Sequence, residues 1–289
     1  MPSTAVVADT TSYLTPELVA SNDVHLVSLY VGIEGEQERE SEIADLQAFY
    51  ERLRSSDEMV TTSQPSVGDF IAAYEPLLAE GKEIVSIHLS SGISGTYESA
   101  MQARERLTAD GKGGERIVVC DSQTGCGGMG LMILAAAHAA KQGAPAAEAA
   151  ERAQALRNEL KIWFAVDTLE YLRRGGRIGA ARAWIGTTLK IKPILTLEEE
   201  ITPVERVRTR NRAFERLLDY ARQRHEAGAD AWVVQHVQDP ENAERLIEAC
   251  KPIYGCDPVF TSEIGPVIGA HVGPGLLGVG GVPKSALEF

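Results

Sequence analysis

Two short segments rich in hydroxyl side chains contain the residues of this sequence that are best suited to chemistry. One runs from Ser90 to Thr96 after an apolar stretch that ends at His88, and the other runs from Thr61 to Ser66. Each precedes a segment with a helical pattern, so its hydroxyl groups fall near the free backbone N–H groups of a helix N-terminus, where anions are favoured. Hydroxyl groups and backbone amides without a dedicated lysine suit a carboxylate or a phosphate monoester.

Ser94 allows three interpretations, and its own sequence context does not choose between them. It can simply cap the following helix, help to bind an anion, or act as a nucleophile. The motif Gly92-Ile93-Ser94-Gly95-Thr96 approaches the G-x-S-x-G elbow of hydrolases but differs at its last position. The segment from Thr61 to Ser66 likewise has an ordinary interpretation as loop and cap chemistry.

Alternating apolar strands and helices position these loops. Helix starts are indicated by Thr15-Pro16-Glu17, by Asp45 before Leu46–Arg54, and by Ser66-Val67-Gly68-Asp69, which resembles a capping box. The alternation predicts an α/β protein with largely parallel sheets, in which ligands bind outside the carboxyl ends of the strands. The predicted strands are Thr4–Ala8, Val24–Tyr30, Glu83–His88, Arg116–Cys120, Ile162–Val166, Pro193–Leu197 and Trp232–Val237.

The chain length of 289 residues predicts two domains. The Ala-rich segment Ala135–Ala155 is broken by Gly143-Ala144-Pro145 and is interpreted as two helices and as the place of the domain boundary. We therefore expect an N-terminal α/β subdomain over residues 1–155 and a C-terminal one over residues 156–289.

Composition excludes several classes of protein. The net charge of −13 argues against nucleic-acid binding. The most apolar stretch, Met129 to Ala140, is too short for a membrane span, and Asp9 falls where a signal peptide would be apolar, so we expect a cytoplasmic protein.

The spacing of the four cysteines and six histidines matches no metal motif, and we expect reduced thiols and no metal. Neither a P-loop nor a G-x-G-x-x-G fingerprint follows a strand, so a nucleotide cofactor is not expected.

Five sequence blocks carry a resemblance to a known family. In chain order they are Thr62-Ser63-Gln64-Pro65-Ser66, Ser91-Gly92-Ile93-Ser94-Gly95-Thr96-Tyr97, the block from Asp167 to Gly179 that contains Leu172-Arg173-Arg174-Gly175-Gly176-Arg177, Leu189-Lys190-Ile191-Lys192-Pro193, and Gly265 to Gly275. Over residues 3–281 the sequence resembles the DegV family, which includes the fatty-acid-binding subunits of bacterial fatty acid kinase. The chain departs from the family at Glu38–Asp45, where an Asp-rich stretch is usual, and this concerns local packing or partner contacts.

The resemblance implies a fold and a set of site residues. It implies two α/β domains that bury one long-chain fatty acid, such as palmitate, between them. Thr62 and Ser94 would bind the carboxylate, and His271 and Arg173 would contact the head group or a phosphate on it. No catalytic residue, metal or cofactor is implied. We also expect the imidazole of His271 to titrate near neutrality.

The implied function is that of a carrier. The protein would present the fatty-acid carboxylate to a separate kinase subunit for conversion to an acyl phosphate, with a role in lipid transport or fatty acid metabolism and with transient membrane contact during lipid exchange. The alternative is a serine hydrolase or acyltransferase in which His271 activates Ser94. This alternative requires a third group to orient the histidine, and the sequence shows no obvious one.

A basic stretch from Arg206 to Arg224 stands out in this acidic chain. Acidic residues are interleaved with it, which favours a solvated surface, and contact with a partner or with a ligand phosphate is the alternative. The stretch comprises Arg206, Arg208, Arg210, Arg212, Arg216, Arg222 and Arg224, with Glu205, Glu215 and Asp219 among them.

Overall fold

The computed structural model describes residues 3–33, 35–55, 60–185 and 191–287. Leu189 and Lys190 of the fourth sequence block lie outside the described residues. The strands are β1 Thr4–Asp9, β2 Val24–Val27, β3 Tyr30–Ile33, β4 Glu36–Arg39, β5 Thr61–Ser63, β6 Glu83–His88, β7 Ile117–Asp121, β8 Lys161–Ala165, β9 Lys192–Glu198, β10 Glu200–Val207, β11 Ala231–His236, β12 Phe260–Glu263 and β13 Leu277–Val282. The α-helices are α1 Pro16–Ser21, α2 Leu46–Ser55, α3 Val67–Ala79, α4 Thr96–Ala109, α5 Cys126–Lys141, α6 Ala146–Glu159, α7 Glu170–Arg174, α8 Arg210–Glu226, α9 Pro240–Tyr254 and α10 Pro266–Val272.

The chain divides into two units, and the division is not continuous along the sequence. Unit 1 contains residues 1–29, 63–159 and 285–289, and unit 2 contains residues 30–62 and 160–284. Helices α5 and α6, which the sequence predicts on either side of Gly143, both lie in unit 1. The change of unit follows Glu159, a few residues after the expected boundary, and residues 30–62 belong with the C-terminal half of the chain.

Unit 1 is built on a parallel four-stranded sheet with the order β2-β1-β6-β7. Its central strands β1 and β6 are almost fully buried, and α3 and α4 pack against the sheet with apolar side chains that include Phe70, Tyr74 and Leu107. The predicted capping box is confirmed at the start of α3: the Ser66 hydroxyl accepts the Asp69 N–H, and the Asp69 carboxylate accepts the Ser66 N–H. This sheet confirms the predicted α/β class with parallel strands.

Unit 2 corrects the expectation that both sheets are largely parallel. Its six-stranded sheet has the order β10-β9-β8-β13-β11-β12, and of these neighbours only β11 and β12 run parallel. The two predicted strands β8 and β9 pair antiparallel, and two strands that the sequence interpretation missed add further antiparallel pairs. β10 returns from β9 through Glu199, whose φ is +70°, and β13 is inserted antiparallel between β8 and β11.

The missed strand β13 is rich in glycine, a composition that by itself indicates loop sequence. Its glycines reflect close packing in the sheet: a Cβ on Gly280 would lie 2.4 Å from Ile162 Cγ1, and a Cβ on Gly281 would lie 2.9 Å from the Ala231 carbonyl oxygen. Glycine inside a strand often marks such a close approach. The core of unit 2 lies between this sheet and helices α8 and α9, where the ring of Trp232 stacks on Tyr254 and that of Trp163 on Tyr220.

Candidate functional site

The structure brings together two of the expected head-group residues in unit 2. Thr62 lies at the centre of the short strand β5, and His271 lies in the last turn of α10. Thr62 Oγ1 and His271 Nε2 are 2.7 Å apart, within hydrogen-bond distance, although 209 residues separate them in the sequence. Thr62 is half-buried.

The other nitrogen of His271 faces the backbone of Gly175. Nδ1 is buried and has no hydrogen-bond partner within the described residues. A Cβ added to Gly175 would lie 2.1 Å from Nδ1, so only glycine fits at this position without a shift of the ring. The first glycine of the Arg-Arg-Gly-Gly-Arg block therefore makes room for the imidazole.

The protonation state of His271 differs from the sequence expectation. Burial and, as a smaller contribution, the positive charge of Arg177 together lower the pKa of His271 to about 4. Desolvation disfavours the charged imidazolium. His271 is thus neutral at pH 7, and the expectation that it titrates near neutrality is wrong for this environment.

A neutral imidazole constrains the hydrogen bond to Thr62. With the proton on Nδ1, a buried N–H would lack an acceptor, which costs about 1–3 kcal/mol. With the proton on Nε2, the N–H donates to Thr62 Oγ1 and only a lone pair of Nδ1 is unmet, which is the smaller cost. We assign the proton to Nε2 on this argument. The hydroxyl proton of Thr62 is then free to be donated to an anion.

Ser94 lies in unit 1, in the loop between β6 and α4. The N-cap of α4 is Gly95, so Ser94 lies one residue before the N-cap position. Ser94 Oγ lies 2.8 Å from Thr96 Oγ1 and accepts the Thr96 N–H at 3.4 Å. When the buried Thr96 hydroxyl donates this hydrogen bond, the O–H of the half-buried Ser94 remains available to a ligand beside the N-terminus of α4.

A buried polar network that the sequence interpretation missed fixes the loop before Ser94. Asp9, at the carboxyl end of β1, accepts the Leu89 N–H at 2.9 Å, and its Oδ2 lies 3.2 Å from His88 Nδ1. His88 Nε2 is 2.7 Å from Ser86 Oγ. Asp9, Ser86 and His88 are all fully buried. An acidic residue directly after a buried strand was the available signal.

This network has the order of a Ser-His-Asp triad but cannot act as one. Ser86 is 0% exposed and its hydroxyl also hydrogen-bonds to the Tyr74 hydroxyl at 2.8 Å, so no substrate reaches it. Its effect is structural, since it holds the carboxyl ends of β1 and β6 and the loop that carries Ser94. Burial raises the pKa of the Tyr74 phenol well above its usual range.

Neighbouring loops brace the same segment. The Ser91 hydroxyl donates to Asp121 Oδ2 at 2.5 Å, and the buried Arg157 donates to the carbonyl oxygens of Ser122 and Gln123, both at 2.9 Å. Gln64, from the other hydroxyl-rich segment, packs against Gly95, where a Cβ would lie 2.8 Å from its Nε2. The two segments that the sequence singled out therefore meet in unit 1 through these residues.

Arg173 is placed in α7, and its guanidinium pairs with Glu170. The distances are 2.9 Å from Nε and 2.6 Å from Nη2 to the two carboxylate oxygens. The hydrogen bond from Arg173, with a further contribution from Arg174, lowers the pKa of Glu170 to about 2. The side chain of Arg173 is half-exposed, and its contact with a head group stays a prediction.

The basic stretch of unit 2 is largely neutralised by its neighbours. Arg216 bonds Glu205 at 2.8 Å and Asp219 at 3.2 Å, and Arg210 pairs with Asp167 and Asp239. Arg210 also lines a surface cavity of about 160 Å³, in which Asp167, Lys192 and Asp239 bring both signs of charge together. These pairs favour the interpretation of a solvated surface.

No cluster of three or more His, Cys, Asp or Glu side chains suited to a metal ion occurs in residues 3–33, 35–55, 60–185 and 191–287. In the same residues, every helix is too short or too polar to cross a membrane.

Fold and site together define an α/β protein with two compact units, with Thr62 in unit 2 and Ser94 in unit 1. A protein-family model described as "Uncharacterised protein, DegV family" matches residues 3–284. The chain belongs to the DegV family, as the sequence blocks predicted. It is 35% identical over 278 residues to Protein DegV of Bacillus subtilis, covering 95% of this chain and 97% of that protein.

Solved structures of relatives agree with the fold. A structure described as DegV, a fatty acid binding protein from Bacillus subtilis, matches with a TM-score of 0.87 and 34% identity, covering 98% of this chain and 100% of that one. A DegV family protein from Thermus thermophilus, described by its fatty acid binding, matches with a TM-score of 0.86 and 32% identity, covering 97% and 99% of the two chains.

Proposed function

We propose that this protein binds one long-chain fatty acid, such as palmitate, and holds its carboxylate through the hydroxyl groups of Thr62 and Ser94. The observation that carries the proposal is the hydrogen bond between neutral His271 and Thr62, because it leaves the Thr62 O–H free to donate to a carboxylate. The descriptions of the relatives from B. subtilis and T. thermophilus support the same ligand class.

The energetics of a fatty acid suit such a site. Burial of each methylene contributes about 0.8 kcal/mol, so a chain of about sixteen carbons offers on the order of 10 kcal/mol before ordering costs are subtracted. The head group then needs orientation more than strong attraction. Neutral hydroxyl donors provide orientation and still permit release, which a carrier requires.

The proposal extends to the fate of the carboxylate. A separate kinase subunit would transfer the terminal phosphoryl group of a nucleoside triphosphate to a carboxylate oxygen, giving an acyl phosphate and the nucleoside diphosphate. His271 and Arg173 would contact the head group or the new phosphate. We place this activity in the cytoplasm, where nucleoside triphosphates are available, with transient membrane contact during lipid exchange.

Mass spectrometry of the denatured protein tests the ligand class. Protein purified from a bacterial host should release a C14–C18 fatty acid in nearly stoichiometric amount. A folded preparation that contains none, and that takes up none from added palmitate, would contradict the proposal.

An esterase assay tests the hydrolase alternative. In a Ser-His-Asp triad the histidine nitrogen remote from the serine is held by a carboxylate. His271 Nδ1 has no such partner in the described residues, and its Nε2 is engaged by Thr62. We therefore expect no hydrolysis of acyl esters above background. Hydrolysis that disappears in both Ser94→Ala and His271→Ala would instead establish the hydrolase.

A further inference from the structure

Helix α10, which carries His271, begins without a cap from its own segment. Its N-cap is Gly265, which offers no side chain, and Pro266 follows at the first helical position. The missing acceptor comes from Glu40, in the 3-10 turn Glu40–Glu42 of unit 2. Glu40 Oε1 accepts the Val267 N–H at 2.8 Å, across 227 residues of sequence. The residue is only 6% exposed, although its neighbours Ser41 and Glu42 are exposed.

Tyr50 of α2 packs against the same helix and hydrogen-bonds to the residues just before it. Its hydroxyl donates to the carbonyl oxygens of Ile264 and Gly265, at 2.7 and 3.0 Å. A Cβ on Gly269 would lie 1.9 Å from this hydroxyl oxygen, so the helix backbone rests directly on Tyr50, which is fully buried. Glu40 therefore fixes the first turn of α10, and Tyr50 fixes the helix face at Gly269.

The other end of this short helix forms the hydrogen bond to Thr62. Val267 and His271 are four residues apart, about 6 Å along the helix axis at 1.5 Å per residue. A helical segment of little more than one turn moves nearly as a rigid body, so a tilt at Val267 displaces the imidazole of His271. The bond from His271 Nε2 to Thr62 Oγ1 is 2.7 Å long and tolerates little displacement.

We propose that Glu40 is a positioning residue for the carboxylate site: by accepting the Val267 N–H it orients α10 so that His271 engages Thr62. The inference rests on the proposed function of Thr62 as a carboxylate donor. It also gives a role to part of Glu38–Asp45, the segment in which this sequence departs from its family's usual pattern.

Matched substitutions separate positioning from a general effect on the fold. Glu40→Gln keeps an oxygen that can accept the Val267 N–H, whereas Glu40→Ala removes the acceptor. Glu42→Ala, in the same turn, is the control because Glu42 is exposed. The readouts are the imidazole ¹⁵N resonances of His271 without added lipid, and the Kd for palmitate by isothermal titration calorimetry.

We expect Glu40→Ala to change the Nε2 resonance of His271 and to raise the Kd about tenfold. Glu40→Gln and Glu42→Ala should keep the wild-type resonance and stay within about threefold of the wild-type Kd. Should Glu40→Ala fail to fold, Tyr50→Phe tests the premise that the anchoring of α10 sets the position of His271, since it removes the hydroxyl that contacts the start of α10. It should also change the Nε2 resonance, and an unchanged resonance would overturn the inference.

Two results with the Glu40 variants would also overturn the inference. One is a folded Glu40→Ala protein with unchanged His271 resonances and unchanged Kd. The other is an equal loss in Glu40→Gln and Glu40→Ala, because the amide retains the acceptor. The resonances need no ligand, so they decide the orientation of His271 even if wild-type protein binds no palmitate, a result that would count against the proposed function alone.

Discussion

Removing the Thr62 hydroxyl is the sharpest perturbation of the proposed site. Thr62→Val preserves the shape of the side chain but takes away both the O–H donated to the ligand and the oxygen that accepts from His271. A hydrogen bond to a charged group contributes about 1.5–3 kcal/mol. This corresponds to about a ten- to hundredfold increase in the Kd for a fatty acid.

Two neighbouring substitutions are the controls. Thr62→Ser retains the hydroxyl group and should bind nearly as well as the wild type. Thr61→Val alters the adjacent, exposed threonine, whose hydroxyl makes only a 3.5 Å contact with the Gly32 carbonyl oxygen, and it should leave the Kd unchanged. Ser94→Ala should weaken binding by a factor similar to that of Thr62→Val, because it removes the second donor.

Calorimetric titration with palmitate gives the Kd, and thermal unfolding with and without palmitate gives an independent measure. A ligand at about one hundred times its Kd stabilises the folded state by about 2.7 kcal/mol, and a tenfold weaker Kd removes about half of that gain. If Thr62→Val binds palmitate within about twofold of the wild type, the hydroxyl is not a carboxylate donor and the reasoning fails.

Three further predictions test the surroundings of the site and the two cores. Because the pKa of His271 is about 4 in the folded protein, below the ordinary histidine value of 6.5 that applies once the chain unfolds, the unfolded chain takes up the proton first. As the pH drops from about 6.5 to 4, the unfolding free energy of the wild type should therefore fall by roughly 3 kcal/mol more than that of His271→Gln. Urea titration at each pH measures this difference, and parallel curves of unfolding free energy against pH for the two proteins would refute it. Gly175→Ala should weaken palmitate binding because the new Cβ displaces His271. Gly176→Ala, where the Cβ would meet open space at φ +71°, should cost about 1 kcal/mol of stability and leave the Kd unchanged. Equal Kd values for the two variants would contradict this prediction. Tyr254→Phe should leave the stability unchanged or raise it, since the buried Tyr254 hydroxyl has no partner in the described residues. Tyr74→Phe should lower the unfolding free energy by about 1–3 kcal/mol, because it removes the hydrogen bond to Ser86. Calorimetric melting that ranks the two variants in the reverse order would refute this prediction.

Local sequence patterns predicted the elements whose signals are local. The capping box of Ser66 and Asp69 and the N-cap Thr15 depend on residues three positions apart, and both occur in the structure as predicted. The strand Glu83–His88 is confirmed at both ends. The glycine-rich strand Leu277–Val282 was missed because its glycines are required by close contacts with atoms of neighbouring strands. A local sequence pattern contains no information about those contacts.

The same distinction applies to the candidate site. The sequence by itself identified Thr62 and Ser94 as candidate site residues, since a hydroxyl-rich loop before a helix is a local feature. The order of the sequence motifs identified the family. Only the tertiary structure decided that His271 meets Thr62 and that Glu40 caps the helix of His271, because these contacts join residues more than 200 positions apart. It also decided that His271 is neutral, since the pKa of an imidazole depends on how far folding removes it from water.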